Sequence, residues 1–178
     1  MEIPSLINQG RLDVFLIRPV GDLFQFLIFE LDEESIFEMV TSLVILIISM
    51  VKLHLSISVF SFVLFFFNTL SALFAFEGIY LAVCASAFWF QSSDGLESIV
   101  YQIIQLSRYP ITIYPNILRI AITVIPFGLY GYYPLLVLFF KTDLATILYT
   151  VLAGPVFFLL VYKLVWKNGL KHYSSAAG

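Results

Sequence analysis

Charged side chains divide this chain into long uncharged blocks. Residues 55–76, 78–93, 120–140 and 144–162 contain no Asp, Glu, Lys or Arg, and 39–51 is a shorter block of the same kind. An α-helix needs about 20 mostly apolar residues to cross ~30 Å of hydrocarbon. The longest blocks reach that length unaided, and the others reach it by borrowing flanking residues. Runs such as Phe65-Phe66-Phe67 and Val44-Ile45-Leu46-Ile47-Ile48 do not alternate, which speaks against the closed β-barrel, the other structure that satisfies its backbone in lipid. The pattern predicts an all-α, polytopic integral membrane helical bundle with four spanning helices at about 36–53, 55–90, 117–140 and 144–166.

The segments between the blocks have a different texture. In residues 1–35, Leu12, Phe15 and Leu16 fall at helical i, i+3, i+4 spacing among charges, and Pro19 ends or turns that segment. A second amphipathic stretch, Leu23 to Leu31, runs into Asp32, Glu33 and Glu34. Both read as an interfacial helix lying on the membrane, and Ser35 with Glu38 forms a capping box for the first span. Residues 55–90 would make a helix of ~54 Å. That length predicts a single bipartite helix interrupted at Glu77-Gly78, with a tight hairpin as the alternative. In 91–108, Leu96, Ile99, Val100, Ile103 and Ile104 make one apolar stripe. Pro110 and Pro115 then forbid a regular helix, so 109–115 is expected to be a re-entrant or interfacial element. Pro126, Pro134 and Gly154-Pro155 interrupt the later blocks, and with Gly78 they are candidate hinges. Lys163, Lys167 and Lys171 follow the last block. By the positive-inside rule they place the C-terminus in the cytoplasm, and Arg11 and Arg18 do the same for the N-terminal segment. Two ends on one side require an even number of crossings.

Composition agrees with this picture: 61% of the residues are hydrophobic and 12% charged, with a mean hydropathy of +0.98. Soluble domains carry about twice that share of charge. Residues 1–35 have no cleavable secretory signal. The single cysteine, Cys84, lies in an apolar block and reads as a packed thiol rather than half of a disulfide. No P-loop is present, since Lys141-Thr142 lacks the preceding glycines. His54 and His172 are far apart and not spaced for zinc, so no metal site is expected, and no Gly-x-Ser-x-Gly elbow occurs. Basic residues are too dispersed for nucleic acid. Glu77 and Arg119 are the candidate intramembrane polar residues. An ionisable group deep in lipid costs ~2.5–3.5 kcal/mol on insertion scales, whereas a loop position for Glu77 and snorkelling for Arg119 would explain them without a function.

Four stretches in order carry a family likeness: Gly10-Arg11-Leu12-Asp13-Val14-Phe15-Leu16-Ile17-Arg18-Pro19, Phe88-Trp89-Phe90, Arg108-Tyr109-Pro110-Ile111-Thr112-Ile113-Tyr114-Pro115, and Pro126-Phe127-Gly128 through Tyr132-Tyr133-Pro134. Together they resemble the permease subunits of bacterial ABC-2-type exporters, over nearly the whole chain. The resemblance implies a six-span permease that dimerises with itself or with a sister permease. It implies that separate ABC ATPase subunits bind and hydrolyse the ATP, so this chain is not an enzyme and carries no cofactor of its own. It also implies that Gly10, Arg11, Leu12, Asp13, Phe15, Leu16, Arg18 and Pro19 belong to a cytoplasmic segment, within residues 1–35, that couples the ATPase to a transmembrane domain at 36–178. In the family two further spans precede that segment, so the chain is expected to lack the first two. The expected function is an exporter permease of the cytoplasmic membrane, with both termini inside. A non-transporting scaffold or truncated fragment is one alternative, and an intramembrane enzyme using Glu77 or His54 is a second.

Overall fold

The computed structural model describes residues 3–13, 17, 24–25, 33–54, 58–90, 94–107, 109–139 and 142–174, and among these every regular element is helical. A short α1 (Ile3–Asn8) is followed by α2 (Glu33–Lys52), α3 (Val59–Ser86) and α4 (Asp94–Ser107). A 3-10 turn at Ile111–Ile113 leads to α5 (Asn116–Val124), a second 3-10 turn at Phe127–Tyr130 and α6 (Tyr132–Phe139). The chain ends in α7 (Leu144–Val161), which continues through a π-helical turn, Tyr162–Trp166, into α8 (Lys167–Leu170).

Two of the described helices are long and apolar enough to cross a membrane, α3 and the continuous run Leu144–Leu170. The sequence left 55–90 between one helix and a hairpin, and the structure has one helix. It starts where the Ser58 side chain accepts a hydrogen bond from the Ser61 amide at 3.0 Å and runs through Glu77-Gly78 without a break. A glycine within a helix costs only about 1 kcal/mol relative to alanine, and α3 contains no proline to remove a backbone donor. α2 has the 20 residues of a span, but it stands apart from the bundle, with Ile36, Phe37, Val40, Ile45 and Val51 all exposed. It begins at Glu33, so Ser35 lies inside its first turn and does not precede it.

The segment 117–140 differs most from a simple span. Pro126 is fully buried and has no amide to donate, so α5 stops just before it and the chain restarts as the 3-10 turn and α6. Pro134 sits within the first turn of α6, where helical amides have no intrahelical partner and a proline costs little.

The packing partners of α3 and α7 advance in step. Ser71 touches Gly154, Gly78 touches Phe157 and Phe158, and Phe88 touches Trp166 and Gly169. The two long helices therefore lie side by side and run parallel. Residues 94–139 leave the C-terminal end of α3 and must bring the chain back to the N-terminal end of α7. The broken segment α5–α6 makes that return, with Ile111, Ile122 and Phe127 packed on Ile79.

Candidate functional site

The C-terminal ends of α3 and α7 form a receptacle for the N-terminal segment. Ile3, Ile7 and Leu12 are buried in one cluster with Leu81, Cys84, Ala85, Ala87, Phe158 and Trp166. The turn that places Leu12 there needs a glycine. Gly10 has φ +66°, in the left-handed region that L side chains enter at a cost of ~1–2 kcal/mol. The Gly10 amide donates to the Ile7 carbonyl and the Arg11 amide donates to Leu6. This is the hydrogen-bond pair of a Schellman ending, which closes α1 and turns the chain back on itself. Arg11 stays exposed while Leu12 is buried, so one residue anchors the segment and its neighbour faces outward.

Aromatic side chains frame this end. Phe88 packs edge-on against Trp166, Trp89 and Tyr173, and Trp89 lies against the His172 ring. Gly169 lets α8 approach, since a Cβ there would lie 2.2 Å from the Phe88 ring. A cavity of about 380 Å³ opens between Gln9 and Gly10, Ala87 and Phe88, and His172 to Ser174. Lys163, Lys167 and Lys171 lie at the same end.

Midway along α3 the two long helices approach closely. Asn68, Ser71, Ala75 and Gly78 face the partner helix and are buried, as are Thr150, Gly154 and Phe158 on α7. A Cβ on Gly154 would stand 1.8 Å from the Ser71 carbonyl oxygen, so the two backbones touch. The Gly154 amide donates to Ser71 Oγ at 3.2 Å. Pro155 follows directly and leaves the α7 backbone one donor short. Asn68 donates from Nδ2 to the Leu64 carbonyl at 2.7 Å, while its buried Oδ1 has no partner among the described residues.

Several hydroxyls are tied within their own helices. Hydroxyls of Thr41, Ser49, Thr69, Ser86, Thr123 and Thr150 all donate to carbonyls three or four residues back. Back-bonding of this kind is how a lipid-exposed helix satisfies a hydroxyl with no water at hand. Only 17% of the spanning window of α3 and 22% of that of Leu144–Leu170 is buried inside the protein. A soluble core helix would be mostly buried, so these apolar faces belong to lipid or to a partner.

The family model described as "ABC-2 family transporter protein" matches residues 1–177. This chain belongs to the ABC-2 transporter family. No curated protein and no solved structure matches it. It is thus a membrane permease of the ABC transporter class, a helical transport component whose family is not itself catalytic.

Within this permease, the structure distributes the sequence-derived candidates over three places. Gly10, Arg11 and Leu12 lie at the receptacle, with Asp13 next in the chain, whereas Phe15, Leu16, Arg18 and Pro19 lie outside the described residues. Gly78, Gly154 and Pro155 lie along the α3–α7 contact. Pro126 and Pro134 bound the break in the return segment. Glu77 and Arg119 are both half-buried. Glu77 lies within electrostatic reach of Tyr130, and the Arg119 guanidinium donates to the Thr112 carbonyl at 3.1 Å. Sequence reasoning missed the Ser71–Gly154 contact, the buried Asn68 and the Phe88–Trp166–Gly169 box. The spacing of small residues at Ser71, Ala75 and Gly78 is the signal that would have found the first, because small side chains let membrane helices approach closely.

Proposed function

We propose that this chain is the membrane-spanning permease subunit of an ABC-2-type exporter, driven by a separate ATPase. The observation that supports it most is the docking of the Gly10–Leu12 turn into the shared end of two parallel long helices, beside the basic C-terminus. A partner pushing on Arg11 and the residues after it would act through Leu12, Ile7 and Ile3 on the ends of α3 and α7 together.

The α3–α7 contact supplies a fulcrum. Backbones touch at Ser71 and Gly154, near the middle of α3, so displacement at the receptacle end turns the helices about that point. Outward release of substrate through alternating access follows from such rocking. ATP is bound and hydrolysed on the partner, and this chain needs no cofactor. A dimer, with itself or a sister permease, would cover part of the apolar surface that α2 presents.

Four crossings, at α2, α3, the α5–α6 return and α7, fit the connectivity. Leu12 and Tyr173 lie at one end of the long helices and Ser58 at the other. A crossing by α2, which has the length for it, would link those two ends. Both described chain ends then share the side bearing Lys163, Lys167 and Lys171, which the positive-inside rule makes cytoplasmic.

The deciding experiment is co-purification of an ATPase subunit from gently solubilised membranes, comparing wild type with Arg11→Glu/Arg18→Glu. A partner held by wild type and lost by the double variant is the expected result. An unchanged partner in the variant would move coupling away from residues 10–19. No partner in either form would reject the ATP-driven reading, and a bound ATPase without vectorial transport would favour a scaffold.

A further inference from the structure

Arg119 and its surroundings carry an inference independent of ATPase coupling. A guanidinium has five N–H donors. Among the described residues that of Arg119 uses one, from Nη2 to the Thr112 carbonyl, and its buried Nε has no partner. Thr112 precedes α5, so this bond draws the guanidinium back over the N-terminal end of that helix. No side chain caps that end, since Pro115 holds the cap position. The free amides of the first helical turn and the guanidinium therefore concentrate positive potential in one place, which favours an anion.

One turn further along α5 the chemistry changes. Thr123 Oγ1 donates to the Arg119 carbonyl at 2.8 Å, and Tyr149 donates its hydroxyl to the Thr123 carbonyl at 2.7 Å. This bond closes one end of a groove of about 320 Å³ between α5 and α7. Thr123 and Val124 form one wall, and Ala153, Val156 and Leu160 the other. Its polar groups are already bonded to each other, so what the groove offers is an apolar trough open to lipid. The nine residues of α5 place its cationic N-terminal end ~12 Å from the start of the trough.

A cationic end and an apolar trough, both presented by α5, together fit one kind of molecule. We propose that α5 and α7 bind a single anionic phospholipid, with its phosphate on Arg119 and the α5 N-terminus and one acyl chain in the groove along Ala153, Val156 and Leu160. Charge complementarity selects the headgroup, and the trough selects a chain over a free anion. The lipid would cover a break in the bundle, since the trough runs beside the place where Pro126 interrupts the return segment.

The test uses the full chain in nanodiscs of phosphatidylcholine containing a minor fraction of phosphatidylglycerol. Native mass spectrometry counts the lipids that stay bound. A phosphatidylglycerol with a photoactivatable group in its acyl chain maps the contact by peptide sequencing. Wild type is expected to retain phosphatidylglycerol over phosphatidylcholine and to crosslink within 119–124 and 149–160. Arg119→Gln should lower that preference at least ~10-fold, the effect of losing one hydrogen bond to a charged group. Val156→Trp fills the trough from a half-exposed position and should reduce crosslinking without lowering thermal stability, which keeps the test valid if Arg119→Gln misfolds. Excess inorganic phosphate should not displace the lipid. Equal retention of both lipids by wild type, full preference in Arg119→Gln, or crosslinks elsewhere would each overturn the proposal.

Discussion

Replacing Gly154 with alanine should separate the two long helices. The added methyl would stand 1.8 Å from the Ser71 backbone oxygen, whereas ordinary contact begins near ~3.3 Å, so α3 and α7 must part by roughly 1.5 Å. Overpacking of a fitted interface costs about 1–3 kcal/mol. Here the obstacle is backbone, which has no rotamer to escape into, so the upper part of that range applies. Separation also breaks the Gly154–Ser71 hydrogen bond, a bond of a class worth about 0.6 kcal/mol in membranes. The expected loss is about 3 kcal/mol, read by denaturant or thermal unfolding in a fixed detergent. Because the nearest atom is the Ser71 carbonyl oxygen, Ser71→Gly should fail to rescue Gly154→Ala. Gly95→Ala serves as the control: Gly95 lies in a helix with nothing within 4 Å of its added Cβ, so alanine there should stabilise by about 0.5–1 kcal/mol. A Gly154→Ala protein as stable as wild type, or one restored by Ser71→Gly, would refute a backbone contact between α3 and α7.

Other consequences follow from the same geometry. Gly169→Ala meets a side chain rather than backbone, the Phe88 ring, so Phe88→Leu should recover most of the lost melting temperature. Gly10→Ala should cost about 1–2 kcal/mol, loosen the docked turn and raise protease cleavage around residues 8–13, whereas Gly10→Asn should be milder because asparagine tolerates the left-handed region. At the start of α7 the Thr146 hydroxyl donates to the Asp143 carboxylate and holds its pKa below the ordinary carboxylate value. A depressed pKa in the folded state adds stability above the unfolded-state value and loses it as pH falls through the lowered one. The melting difference between wild type and Asp143→Asn should therefore hold steady from neutral pH down to about 5 and shrink below about 4. For topology, on a Cys84→Ala background an impermeant thiol reagent should label Ser58→Cys in intact cells and spare Lys171→Cys. Labelling of both would reject the four-crossing arrangement, and the reverse pattern would reject the cytoplasmic placement of its ends.

Much of this was legible along the chain because lipid imposes a one-dimensional rule. Every backbone polar group in hydrocarbon must be satisfied inside the protein, and a helix does so almost entirely within itself, so uncharged, non-alternating blocks announce helices before any packing is known. Residues 59–86 and 144–170 are helical for that reason, and Pro126 stops α5 because proline has no amide wherever it sits. The likeness carried by Gly10–Pro19 and the later stretches led to the family that matches residues 1–177. Gly10 was named only as part of that likeness, and nothing along the chain announced the Schellman turn that requires it.

What the chain could not reveal depends on residues far apart in it. Whether Glu77-Gly78 ends a helix was open, because a glycine permits both a turn and a close approach. Phe157 and Phe158, packed on Gly78, decide for close approach. Ser71 and Gly154 are separated by 83 positions, and no periodicity links them. The parallel course of α3 and α7 emerges only when their contacts are paired, and it is what turns the broken 117–140 segment into a return path. Hydropathy fixes which residues leave water. Which faces then meet depends on shape, and shape is a property of pairs of helices.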